Sequence, residues 1–176
     1  MNRKFRLLLY GMTVCAGLLT LFFALLPCLT LAITFGTTFY HFALRLLVGW
    51  LGRIFFPSRG ENAAWFQEQP WEAALYRRLK VRRWKNKMPT YRPGDFDPKI
   101  RTPGEIIHAT CISEITHEII MVLSFLPVLA IPKYGAPAAF WITSVLAALL
   151  DGCFAVMQRY NRPRLLKLQQ RKERRL

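Results

Sequence analysis

Four apolar runs, residues 7–26, 30–56, 106–131 and 136–157, occupy most of this chain and are each about as long as a membrane is thick. A hydrocarbon core of roughly 30 Å needs about 20 apolar residues in helical form. Lipid offers no partner to backbone N–H and C=O groups, so helices that satisfy their own backbone are the form such runs take. The same chain, 53% hydrophobic, carries 25 Lys and Arg against 10 Asp and Glu, a formal charge of +15. That excess is segregated to Arg3, Lys4 and Arg6, to the stretch 57–105 and to residues 158–176. The pattern predicts an all-α integral membrane protein with four transmembrane helices and a basic amphipathic cytoplasmic helix between the second and third. Its parts are an N-terminal transmembrane hairpin (1–56), a basic loop with an interfacial helix (57–105), a C-terminal transmembrane hairpin (106–157) and a basic tail (158–176). Four crossings put both termini and the loop on one side, and the positive-inside rule makes that side the cytoplasm of a multi-pass cell-membrane protein.

The first run is an anchor rather than a signal peptide, because it outlasts an ordinary signal core and lacks a small-x-small cleavage site. The second contains Arg45 and Arg53, which must snorkel or face protein; a span is favoured over an interfacial helix. In the loop, Pro70, Pro89, Pro93, Pro98 and Pro103 leave residues 71–87 as one predicted helix. Trp71, Leu75, Leu79 and Trp84 can face lipid or protein, while Arg77, Arg78, Lys80, Arg82, Arg83, Lys85 and Lys87 reach for phosphate, the composition of a membrane-surface element. Pro132-Lys133-Tyr134-Gly135 predicts a tight turn.

Chemistry is expected where ionisable residues enter an apolar run, since such groups are costly there and mark functional sites. Glu114 and His117 lie in the third run, and at helical spacing Thr110, Glu114, His117, Met121 and Ser124 form one stripe. At about 1.5 Å per residue, Glu114 and His117 are roughly 12 and 16 Å from the cytoplasmic edge, and Asp151 about 10 Å. These three, with Ser144 and Gln158 on the face of Asp151, predict a wet pocket opening to the cytoplasmic leaflet. A simpler reading is that they tie helices together by hydrogen bonds. Glu-x-x-His occurs twice, at Glu105-His108 and Glu114-His117, and resembles a di-iron motif. The copies are nine residues apart, however, and one straight helix turns them about 180° from each other. No metal and no cofactor is expected, and Cys15, Cys28, Cys111 and Cys153 lack metal spacing.

A second constellation, Gln158-Arg159-Tyr160-Asn161-Arg162-Pro163-Arg164, gathers donors, an aromatic and a proline stop at the end of the last run. It suits capture of phosphate, carboxylate or sugar, although positive-inside charge also accounts for part of it. His117 is the candidate general base, as imidazole is the side chain best suited to proton transfer at neutral pH, with Glu114 to orient it or stabilise its charge. Candidate substrate-binding residues are Trp84, Lys85, Asp151, Gln158, Arg159, Asn161, Arg162 and Arg164, with Arg159 and Arg162 assigned to a donor phosphate or a developing oxyanion.

Three successive stretches, VRRWKNKMP at 81–89, TCISEITH at 110–117 and QRYNRPRL at 158–165, resemble in order and spacing the motifs of the glycosyl-4,4′-diaponeurosporenoate acyltransferase family. Trp71-Glu72 with Tyr76 and Leu79 resembles the approach to the first motif, and the likeness covers residues 65–168. Ala109 and Ile112 stand where the family commonly has Glu and Arg, and Asp151 where relatives often carry Asn. The resemblance implies a small membrane enzyme that esterifies a fatty acyl group onto the sugar of a glycosylated carotenoid acid. It implies as partners an acyl donor, acyl-CoA or acyl carrier protein, a glycosylated lipid acceptor and membrane lipids. The competing class is a non-catalytic membrane subunit that binds anionic lipid or a partner protein. Nucleic-acid binding is not expected, because the positive-inside rule already accounts for the basic charge.

Overall fold

A computed structural model describes residues 3–55, 63–90 and 92–174. Expectations that fall on Phe56, on 57–62, on Tyr91 or on 175–176 lie outside the described residues. Among these the chain is helical without strands: α1 (Arg3–Leu25), α2 (Leu29–Phe55), α3 (Glu72–Arg78), α4 (Val81–Trp84), α5 (Pro103–Leu123), α6 (Ile131–Tyr134) and α7 (Pro137–Glu173). Four segments, Arg6–Leu25, Leu29–Phe55, Pro103–Tyr134 and Pro137–Glu173, are long and apolar enough to cross a membrane. The chain divides into two compact units, the first formed mainly by Gly52–Ile115 and Cys153–Leu176, the second by Arg3–Leu51 and Thr116–Gly152.

In the second unit α1 and α2 approach closely. A Cβ on Gly17 would come within 3.2 Å of the Phe39 ring, a contact tight enough that the ring would have to give way by a few tenths of an ångström, and Phe23 stacks on Phe35 at 5.5 Å between centroids. Leu44, Val48 and Ile120 form a small apolar core with Tyr40, Ile119 and Leu123 around it. Thr13, Thr20, Thr38 and Thr143 return their hydroxyls to the carbonyls four residues back, so that these four protons are matched in an apolar setting.

Burial runs opposite to that of a water-soluble domain. Leu18, Leu21 and Leu25 are 63%, 64% and 84% exposed, whereas Glu72, Glu114, Thr110, Asp151, Ser124 and Ser144 are among the most buried side chains. Exposed apolar area on this scale marks a lipid-facing surface.

Three boundaries differ from expectation. The third apolar run is not one helix to 131, because α5 ends at Leu123 and gives way to a 3₁₀ turn over Leu126–Ala130. Pro127 has no N–H for the Leu123 carbonyl and its ring crowds that group; the Tyr40 hydroxyl donates to it instead, at 2.8 Å. The predicted helix 71–87 is split: Lys80 is left-handed at φ 51° between α3 and α4, and a 3₁₀ turn over Lys85–Lys87 follows. The Trp84 indole N–H donates to the Leu79 carbonyl at 2.9 Å, satisfying an acceptor released by the break. Finally, Pro163 does not stop the last helix, and α7 continues through it to Glu173. Pro163 removes one backbone hydrogen bond, but the turn before it is held by ion pairs of Arg159 and Arg162.

Candidate functional site

In the first unit, α5, α7, α3 and the turn before α3 bring two arginines onto two carboxylates. Glu114, on α5, is fully buried. Its Oε1 accepts from Arg159 Nη1 at 2.9 Å, and its Oε2 accepts from Arg162 Nη2. Arg159 also donates through Nε and Nη2 to Glu72 Oε1, at 2.9 and 2.6 Å. Glu72 Oε2 accepts from the Tyr76 hydroxyl at 2.7 Å. Burial, and then donation to Glu72, push the Tyr76 phenol above the ordinary tyrosine range. Arg162 further donates through Nε to Thr110 Oγ1 and through Nη1 to the Phe66 carbonyl, both at 3.3 Å, with its guanidinium 4.8 Å over the Phe66 ring. The two arginines thus face two carboxylates, and the cluster is neutral as a whole.

Next to it along α7, Arg164 lies 3.8 Å over the Tyr160 ring and donates to its hydroxyl at 2.6 Å. Lys85 donates to Asn161 Oδ1 at 2.7 Å and lies 5.3 Å from the same ring. Burial, and after it the Arg164 charge, hold Lys85 below the usual lysine range. Gln158 is buried on α7.

In the second unit, a fully buried Asp151 on α7 holds two partners. Its Oδ1 is 2.8 Å from His117 Nδ1, and its Oδ2 accepts from Arg45 on α2. Arg45 also donates to the carbonyls of His41, at 3.0 Å, and Ala147, at 3.2 Å. Of the two fates open to Arg45, snorkelling or facing protein, it takes the second. His41 is buried, and neither of its ring nitrogens has a hydrogen-bond partner among the described residues; nor does Ser144 Oγ.

The expected residues therefore fall into two clusters. Glu114, Arg159 and Arg162 meet in the first, with Lys85, Asn161 and Arg164 beside Tyr160; His117 and Asp151 meet in the second. The carboxylate that engages Nδ1 of His117 is Asp151. Trp84 serves the turn between α3 and α4. Glu105, the first residue of the earlier Glu-x-x-His copy, accepts from Thr102 N at 2.8 Å, while Thr102 Oγ1 accepts from Glu105 N at 3.3 Å, a capping box that starts α5. Sequence reasoning missed Glu72 and Arg45 as site members. Glu72 left one trace, a carboxylate four residues before a tyrosine on one helix face, and Arg45 another, an arginine inside an apolar run.

Comparison with known proteins adds one match. No curated protein and no solved structure matches the chain. The family model described as CrtO, glycosyl-4,4′-diaponeurosporenoate acyltransferase, matches residues 62–171, which hold both motif-bearing stretches of α5 and α7 as well as α3 and α4. With that match spanning more than half its length, the chain belongs to the glycosyl-4,4′-diaponeurosporenoate acyltransferase family.

Proposed function

We propose that this membrane protein transfers a fatty acyl group from a thioester donor to a sugar hydroxyl of a glycosylated lipid, the glycosyl carotenoid acid of the family's name being the first candidate acceptor. The observation that supports it is the contact between His117 and buried Asp151. A carboxylate on Nδ1 keeps the proton there and the basic lone pair on Nε2, the arrangement of a general base with a fixed tautomer. His117 takes the proton of the sugar hydroxyl as its oxygen attacks the acyl carbonyl carbon. The C–S bond of the donor breaks, the ester C–O bond forms, and His117 returns the proton to the departing thiolate. Asp151 stabilises the imidazolium formed in between. Arg45 holds the second oxygen of Asp151 and is a positioning residue.

Arg159 and Arg162 take a different role from the anion capture expected of them. Both are engaged by buried carboxylates, so we assign them with Glu72 and Glu114 to holding α3, α5 and α7 together, while Lys85, Asn161 and Arg164 serve the donor. The bias of basic residues supports cytoplasmic termini and a cytoplasmic central segment.

The test is acyl transfer by membranes containing the protein, using labelled acyl-CoA or acyl carrier protein and a glycosyl carotenoid acid or a simpler glycolipid. His117→Ala should abolish transfer, with only the modest fall in melting temperature that loss of one hydrogen bond to Asp151 brings. Undiminished turnover in a well-folded His117→Ala protein rules out the general base.

A further inference from the structure

Unlike Arg159 and Arg162, a second group of cations in the first unit has no carboxylate partner among the described residues. Residues of α3, α4 and α7, with Lys80 between the first two, line an open groove of about 510 Å³. Arg77, Lys80, Arg82, Arg83, Arg164 and Lys167 face it against one acid, Glu68. Among the described residues none of the six lies within salt-bridge distance of a carboxylate. Two aromatic rings, Tyr76 and Tyr160, packed edge to face at 5.4 Å, form part of the wall. Lys85, which does not line the groove, lies 5.3 Å from the Tyr160 ring.

Cations left without counter-ions repel one another, and a groove that gathers six of them is stabilised by a multiply charged anion. Guanidinium groups are suited to phosphate oxygens, which they hold through paired N–H donors. The volume lies within the ~300–1,000 Å³ typical of small-molecule sites. A flat acidic protein face would need a broad contact instead, of about 800 Å² per partner.

We propose that this groove binds the phosphorylated nucleotide end of a coenzyme A thioester, its diphosphate and its separate phosphate monoester shared among Arg77, Arg82, Arg83, Arg164 and Lys167. A coenzyme A thioester brings several phosphate charges together on one flexible molecule, whereas a phospholipid headgroup usually brings one. The identity of the ligand rests on the acyltransferase reading; the anion site rests on the groove alone.

The experiment uses full-length protein in nanodiscs of neutral phosphatidylcholine and measures binding of coenzyme A by calorimetry. Coenzyme A should bind, 3′-dephospho-coenzyme A should bind about tenfold more weakly, and Arg83→Gln with Lys167→Gln should weaken coenzyme A by a further factor of about ten at unchanged melting temperature. Arg77→Gln, on an exposed side chain of a different helix, provides an independent variant with the same expected direction. Absent binding, or binding that both sets of variants leave unchanged, overturns the site. So does a result in which the variants leave coenzyme A binding unchanged and weaken only enrichment of phosphatidylglycerol around the protein in mixed-lipid nanodiscs, or only capture of acyl carrier protein. Coenzyme A binding without acyl transfer supports the groove and counts against the proposed reaction. Transfer from acyl carrier protein without coenzyme A binding does the reverse.

Discussion

The Tyr40 hydroxyl donates to the carbonyl of Leu123 at 2.8 Å, and the residue that would have donated in a continuing helix is Pro127. A side chain from α2 thereby takes the place of a backbone N–H in α5, and the last turn of α5 is fixed against the second helix. Tyr40→Phe keeps the ring and removes only the donor. It should cost about 1–3 kcal/mol, the penalty of an unmatched carbonyl out of water, read as a lower melting temperature in detergent. An unchanged melting temperature would mean that another group, or water, reaches Leu123.

Glu114→Gln has a predictable effect on folding as well as on activity. It leaves Arg159 and Arg162 facing one remaining carboxylate, and loss of one partner from a buried pair costs about 3–5 kcal/mol. The expected result is lost protein and early melting, with Glu114→Gln combined with Arg162→Met less damaged than Glu114→Gln alone. A stable but inactive Glu114→Gln protein would instead assign Glu114 directly to the chemistry.

Asp151 can be separated from Arg45 in the same manner. Asp151→Asn keeps an oxygen for His117 Nδ1–H but leaves Arg45 without its counter-charge, so stability should fall, and Arg45→Met in the same protein should recover part of it. Asp151→Ala removes the orienting oxygen altogether, and kcat should drop about a hundredfold with little change in KM. Equal kcat in Asp151→Ala and parent would leave His117 without an orienting partner and exclude Asp151 from the mechanism.

Membrane topology can be read by cysteine labelling in intact cells, in a background lacking Cys15, Cys28, Cys111 and Cys153. New thiols at Arg3, near Trp84 and at the C-terminus should resist an impermeant reagent, while one at Tyr134 reacts. Labelling near Trp84 from outside would overturn the four-span arrangement.

Much of this was legible in the sequence because apolar length and charge segregation are local properties. α1 and α2 fall close to their apolar runs, and Glu114 and Asp151 are buried as their cost in an apolar run implies. Proline was not legible in the same way. Pro127 follows the end of a helix while Pro163 lies inside one, and the partners around each come from elsewhere in the chain: Tyr40 meets the Leu123 carbonyl before the first, and carboxylates hold Arg159 and Arg162 before the second. Charge pairing was likewise hidden, since Arg159 reaches Glu72 across 87 residues and Arg45 reaches Asp151 across 106. A helical stripe groups Glu114 with His117; only tertiary packing shows which partner each one takes.

The pairing of Glu114 with residues 45 and 48 positions later has a consequence for biosynthesis. When α5 first leaves the ribosome its carboxylate has no guanidinium to meet, and an ionised carboxylate at mid-membrane costs a few kcal/mol during insertion. A chain truncated after Tyr134 should insert α5 poorly in a translocation reporter, and the full chain efficiently. The later helix, α7, would then act as an internal chaperone for α5, drawing it into the bilayer as its own arginines arrive.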